Sequence, residues 1–265
     1  MRTPRKIARL ESLSPEDFLS EIANGTSLLV ENAQTYLNSA NALCLHAPGR
    51  TVAHLRSVAE EEAAKVLILL DAVRCPRTNQ KLFSKQLKYF INHLARGVYA
   101  YYACTSPADF AEARTIVEAA IEKCYYDGGA GELEYRNAIL ADREETLYVD
   151  YVEDNGDYYW ISPKQTDSFA ASSHPEPSQV VELADALVRV GCGTTEGLRI
   201  IADIWHHVVI SENLNWSEYV SYNIDALRRL DNAGLSEEAE EDHQRMVKDH
   251  WGFPLYSVDI TLRLQ

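Results

Sequence analysis

No apolar run in this 265-residue chain reaches the roughly 18 residues that would cross a bilayer, so a membrane-spanning protein is not expected. The basic start, Met1-Arg2-Thr3-Pro4-Arg5-Lys6, is followed by no apolar signal core, which argues against secretion and for a cytoplasmic protein. Cysteine is sparse: Cys44, Cys75, Cys104, Cys124 and Cys192 are scattered, odd in number and never spaced C-x-x-C. That speaks against a disulfide framework or a zinc site and for free thiols. Positive charge is short as well. The net charge of −15 leaves no basic face of the kind a non-specific DNA binder carries, and a polyanion would have to reach a local site against the overall field. There is no P-loop, no G-x-S-x-G and no H-E-x-x-H. His206 and His207 are adjacent and diverge on a helix, so they are not expected to share a metal.

What remains, 46% hydrophobic and 25% charged residues, is enough apolar material to bury a core under a soluble surface. Helical signals dominate. Ser14-Pro15-Glu16-Asp17 reads as a cap, a first-turn proline and acids at the positive end of the dipole, and Ser106-Pro107-Ala108-Asp109 repeats that grammar. An apolar stripe through Leu29, Ala33, Tyr36, Leu37, Ala40 and Leu43 ends at Pro48-Gly49. Further helices are expected over residues 50–72, 80–104 and 109–126, with a glycine-rich break at 128–131 before a short helix through Arg136. The period then changes. Leu147-Tyr148-Val149-Asp150-Tyr151-Val152 and Tyr158-Tyr159-Trp160-Ile161 flank Asp154-Asn155-Gly156-Asp157 and predict a β-hairpin. A polar loop over 168–177 leads to a helix ending near Gly191. Residues 194–252 predict three more helices, with breaks near 211–213 and 234–236. The fold class expected is mainly α.

The most informative stretch is Ser57-Val58-Ala59-Glu60-Glu61-Glu62-Ala63-Ala64-Lys65-Val66-Leu67-Ile68-Leu69-Leu70. Charges inside an apolar helix must be paired or line a cavity, so a polar groove is expected to meet the core here. Glu61 and Lys65 stand four apart with the acid first, the spacing of an ion pair on one helix face; a plain surface pair is the alternative. His93 and Arg96 share a face three residues apart, with Lys88 a third of a turn off it. A histidine beside a fixed cation can move a proton while the cation holds a phosphate, or the histidine can simply pack. Secondary candidates are Arg199 and His206, spaced R-x6-H with Asp203 between them, and Arg245 and His250, spaced R-x4-H at a helix end where cations also complement the dipole. The many tyrosines, among them Tyr99, Tyr101 and Tyr102, could stack on unpaired bases or form core.

The order of features resembles the AbiV-type abortive-infection proteins of the HEPN superfamily. The resemblance rests on Asn32-Ala33, Ser39-Ala40, Gly49-Arg50, Glu61-Glu62-Ala63-Ala64-Lys65, His93 with Arg96, Leu147-Tyr148-Val149-Asp150-Tyr151 and Trp160-Ile161-Ser162-Pro163, and covers roughly residues 20 to 190. It implies a HEPN-like helical bundle over 1–191 with a small hairpin insertion at about 146–162, and a C-terminal helical extension over 192–265 packed on it. It further implies a homodimer, a role in antiphage defence, RNA as substrate, a phage-encoded activator or partner protein, and no cofactor. The family signature is an arginine, four to six residues, then a histidine. Here the nearest match in the covered region is Lys88-x4-His93, with a point charge where a fork is usual. The arginine-led spacings fall in the C-terminal block.

Under that resemblance the expected chemistry is metal-independent RNA cleavage. His93 would deprotonate a ribose 2′-OH, Arg96 and Lys88 would hold the phosphate, and Glu61, Glu62 and Lys65 would orient them. Two rival readings stand beside it. One is a non-catalytic helical protein that binds a phage or host protein, which the acidic charge favours. The other is a metal-dependent hydrolase using Glu61, Glu62 and His93, which Lys65 and Arg96 disfavour by repelling a cation.

Overall fold

The computed structural model describes residues 6–126, 133–154, 156–162 and 177–261. The glycine-rich stretch at 128–131, Asn155 of the expected turn and the loop at 168–176 lie outside the described residues. The chain is mainly helical, as the periodicity predicts. A short 3-10 turn, Ile7–Ser12, precedes α1 (Pro15–Leu43), α2 (Gly49–Arg74), α3 (Gln80–Tyr89), α4 (His93–Tyr102) and α5 (Phe110–Ile121). Strands β1 (Lys123–Tyr126) and β2 (Leu133–Asn137) pair antiparallel, and α6 (Ala138–Leu147) follows. Strands β3 (Asp150–Asp154) and β4 (Asp157–Ile161) form a second antiparallel pair in which Tyr151 faces Trp160. The chain closes with α7 (Gln179–Leu187), α8 (Thr195–Trp205), α9 (Trp216–Asn232) and α10 (Glu241–His250). No described helix is long and apolar enough to cross a membrane. Cys44, Cys75, Cys104 and Cys192 are free thiols.

Short polar side chains set most helix starts. Ser14 accepts from the Asp17 amide at 3.1 Å, with Pro15 in the first turn. Asn79, Asp109, Thr194 and Asn215 cap α3, α5, α8 and α9 in the same way. Three local expectations are corrected. The helix expected over 80–104 is broken, because Asn92 turns extended and its side chain accepts from the Ala95 amide, which starts a new helix at His93. The segment expected to run helically to Tyr126 stops at Ile121, and β1 follows. The short helix expected through Arg136 is instead β2, with α6 after it.

Helix α2 is the axis of the molecule. It packs along α1 and also touches α3, α4, α6, α7 and α8. From Val66 to Arg74 every residue is buried, so this half of the helix is enclosed on all sides. Its end carries a buried ion pair, Asp71 with Arg74. Tyr99 donates to Asp71 at 2.6 Å and the Leu255 amide does so at 2.7 Å. Arg74 donates to Tyr219 at 2.8 Å and lies between Trp205 and Trp251, 5.0 and 4.3 Å from their ring centres. Residues from α1 (Phe18) to the C-terminal segment (Ile260) belong to one contiguous core.

Candidate functional site

Toward its N-terminal half α2 emerges from the core, and Glu60, Glu61 and Glu62 are half-buried there. Glu61 is the hub. His93 Nδ1 lies 2.8 Å from its Oε2, Arg96 Nη1 donates to the same oxygen at 3.1 Å, and Arg143 Nε donates to Oε1 at 3.0 Å. These partners come from α4 and α6. Gly97 makes the approach of α6 to α4 feasible, since a Cβ at that position would overlap Ile139. Burial alone would push the Glu61 carboxyl up; the charges and hydrogen bonds of His93, Arg96 and Arg143 outweigh it and hold the group below its ordinary range.

The four side chains differ in what they can reach. His93 is 41% exposed, whereas the Arg96 side chain is only 6% exposed. With Nδ1–H donating to Glu61, the other imidazole nitrogen carries the lone pair and is the one left to act. Glu61, His93 and Arg143 line a cavity of about 410 Å³ with Ala53, Ser57, Glu60, Gly97, Ala100, Tyr101, Cys104 and Ile139. Arg96 is not on that lining. It gives its Nε to the Phe90 carbonyl at 2.8 Å and its Nη1 to Glu61, so it is committed to holding the frame.

Several sequence expectations are corrected. Lys65 pairs with Glu62 and not with Glu61. Both i,i+3 and i,i+4 spacings allow a pair. Asn32 of α1 donates to Glu62 at 3.1 Å. Glu62 and Lys65 therefore do not join the His93 cluster, and the three-ligand arrangement of Glu61, Glu62 and His93 is not formed. Among the described residues no three His, Cys, Asp or Glu side chains converge as metal ligands. Lys88 is exposed on α3, separated from His93 by the break at Asn92, so the two do not share a helix face. Arg143 is the residue that sequence reasoning missed.

The secondary candidates are brought together in pairs but are otherwise engaged. Arg199, Asp203 and His206 line a cavity of about 290 Å³ beside the start of α1. Arg199 is tied to Glu196 and, at 2.6 Å, to Glu16. His206 donates Nε2–H to the Val73 carbonyl at 3.1 Å, and burial pushes its titration down. Arg245 and His250 line a cleft of about 480 Å³ whose other walls include Glu182, Asp185, Glu240 and Asp249. Arg245 is paired with Asp242, and His250 accepts from Gln179 at 2.9 Å. A phosphate entering that cleft would meet carboxylates first. Comparison with protein-family models, curated proteins and solved structures finds no match to this chain.

Proposed function

We propose that the protein is a metal-independent endoribonuclease with a HEPN-like bundle as its scaffold, acting in antiphage defence as the sequence resemblance implies. One observation carries the chemistry. A half-exposed imidazole is oriented by a carboxylate at 2.8 Å, and it lines a cavity that is also lined by a guanidinium side chain, Arg143. The lone-pair nitrogen of His93 takes the proton of a ribose 2′-OH. The resulting oxygen attacks the adjacent phosphorus, the 5′-oxygen leaves with a proton from water, and a 2′,3′-cyclic phosphate remains. Glu61 fixes the tautomer and stabilises the imidazolium as it forms, and Arg143 faces the charge that builds on the phosphorane. DNA lacks the nucleophile and stays intact.

The test is incubation of the purified protein with total RNA in EDTA, with the ends mapped chemically. Cleavage leaving cyclic phosphates, reduced by about 10²–10⁴-fold in His93→Ala, is the expected result. Intact RNA, or a His93→Ala variant that cuts at the wild-type rate, overturns the reading.

The alternative, a non-catalytic protein that binds a phage or host protein, is favoured by a different observation. On one face of β3 and β4, Tyr151, Tyr158 and Trp160 are exposed, and Tyr151 packs against the other two at 6.1 and 5.0 Å between ring centres. Aromatic surfaces of this kind are typical of protein contacts. Under this reading His93→Ala leaves protection against phage intact and Trp160→Ala abolishes it.

A further inference from the structure

The cavity does not end at His93. It runs along α4 past Gly97 and Ala100 to Tyr101 and Cys104, with Ala53 and Ser57 of α2 on the opposite side. From His93 to Tyr101 the helix rises about 12 Å. Its floor is built of small side chains, so a flat ring can lie against it. Tyr101 lines it and is 53% exposed, offering a ring face at the rim. The volume, about 410 Å³, falls within the range of small-molecule sites.

Glu60 is the polar group in this part of the cavity that the mechanism leaves unused. Its Oε1 accepts from the Ser178 hydroxyl at 3.1 Å, and no other hydrogen bond to its carboxylate is present among the described residues. Burial pushes this carboxyl up, with Ser178 and Arg56 only partly offsetting it. A carboxylate in such a place is best satisfied by a ligand that brings two adjacent donors. Among the four bases of RNA one Watson–Crick edge does so: guanine presents N1–H beside N2–H₂. Adenine and cytosine place a ring acceptor next to the amino group, and uracil flanks its single donor with two carbonyls.

We propose that this end of the cavity is a guanine subsite, with Glu60 accepting from the N1–H and amino group and Tyr101 covering the ring, so that the phosphate 3′ to a guanosine lies at His93 and Arg143. The orientation of the nucleotide rests on the nuclease reading. Glu60 and Tyr101 are specificity residues and touch no reacting atom.

The experiment is calorimetric titration of the full chain with guanosine, adenosine and uridine 3′-monophosphates, repeated with Glu60→Gln and Tyr101→Ala. Wild type is expected to bind the guanosine nucleotide about 10- to 100-fold more tightly than the other two, the range of hydrogen bonds to a charged group. Glu60→Gln is expected to level the three affinities, and Tyr101→Ala to weaken all three. Equal affinities in wild type, no binding of any nucleotide, or a guanosine preference that survives Glu60→Gln would each overturn the subsite. Cleavage of single-guanosine RNA oligomers separates this from the nuclease reading. Guanosine-selective binding without any cleavage keeps the subsite and sinks the nuclease; cleavage without base preference does the reverse.

Discussion

Replacing Glu61 by glutamine changes one atom at the hub and nothing in its size. In wild type the carboxylate accepts from three donors: Arg96 and His93 on one oxygen, Arg143 on the other. An amide offers one carbonyl oxygen and turns an N–H₂ toward the remaining donors. Arg96 suffers most, because its side chain is 6% exposed and has only the Phe90 carbonyl left. Breaking a buried pair by removing one partner costs about 3–5 kcal/mol, and the residual carbonyl argues for the lower end, about 3 kcal/mol. For a chain of this length that is a fall in Tm of about 6–12 °C. Glu61 titrates below its ordinary range when folded, so its contribution is complete above the unfolded value and is lost as pH falls through the folded one. The mutant's deficit should therefore shrink in acid. Thermal melts at several pH values measure this, alongside the double variant Glu61→Gln/Arg96→Met, which removes the stranded charge and should recover about half of the loss. A Tm within 2 °C of wild type, or a double variant no more stable than the single one, would show that Glu61 is not what balances Arg96. RNA cleavage by Glu61→Gln should fall by about 10²-fold, since the developing imidazolium loses its counter-charge.

Asp71→Asn should be more damaging. It removes the counter-charge of Arg74 and leaves one carbonyl oxygen where Arg74 uses Oδ1 and Tyr99 and the Leu255 amide share Oδ2, a loss of about 3–5 kcal/mol in a urea titration; a loss under 1 kcal/mol would refute the buried network. Glu60→Gln should do the opposite. Its folded titration is raised, so the ionised group is a burden at neutral pH that is relieved as pH falls through the folded value. The variant should gain about 0.5–1 kcal/mol near pH 7 and nothing in acid. A destabilised variant at pH 7 would mean that the pull of Arg56 outweighs burial.

Much of the helical frame was legible. Caps such as Ser14 and the breaks at Pro48 and Gly234 follow from local chemistry, and local chemistry is what a single sequence displays. Spacing paired Glu61 with Lys65; a role for Glu61 beside His93 and Arg96 was expected only under the family resemblance, and there together with Glu62 and Lys65. The failures are tertiary. Asn92 has the cap chemistry of a helix start, but the regular run on either side of it hides the break that parts Lys88 from His93. The start of α5 falls at Asp109 as expected, but it is held from a segment a hundred residues away: Asp109 bridges to Asn215 and the Phe110 amide donates to the Leu214 carbonyl. Lys65 pairs with Glu62, which also accepts from Asn32 of α1. Arg143 is 82 residues from Glu61 and on a helix of mixed polarity, so no spacing rule points to it.

The block after residue 194, outside the sequence resemblance, has a physical connection to the site. Helix α4 is pinned to α2 twice. His93 and Arg96 hold Glu61 at one end, and Tyr99 holds Asp71 at the other, with Gln86 donating both to Tyr99 at 2.9 Å and to the Ile68 carbonyl at 2.8 Å. A functional group is useful only if its supporting shell fixes it to a fraction of an ångström, and two pins remove the sliding and the rotation that one would leave. The second pin does not stand alone. Asp71 needs Arg74, and Arg74 needs Tyr219, whose hydroxyl donates to the Trp251 carbonyl at 2.7 Å. The C-terminal helices thus complete the frame that positions His93. Tyr219→Phe keeps the ring and removes the hydroxyl, so Arg74 loses one acceptor. If the frame transmits to the site, cleavage should fall several-fold with only a modest drop in Tm; unchanged cleavage at equal loss of stability would confine the C-terminal block to a role in folding.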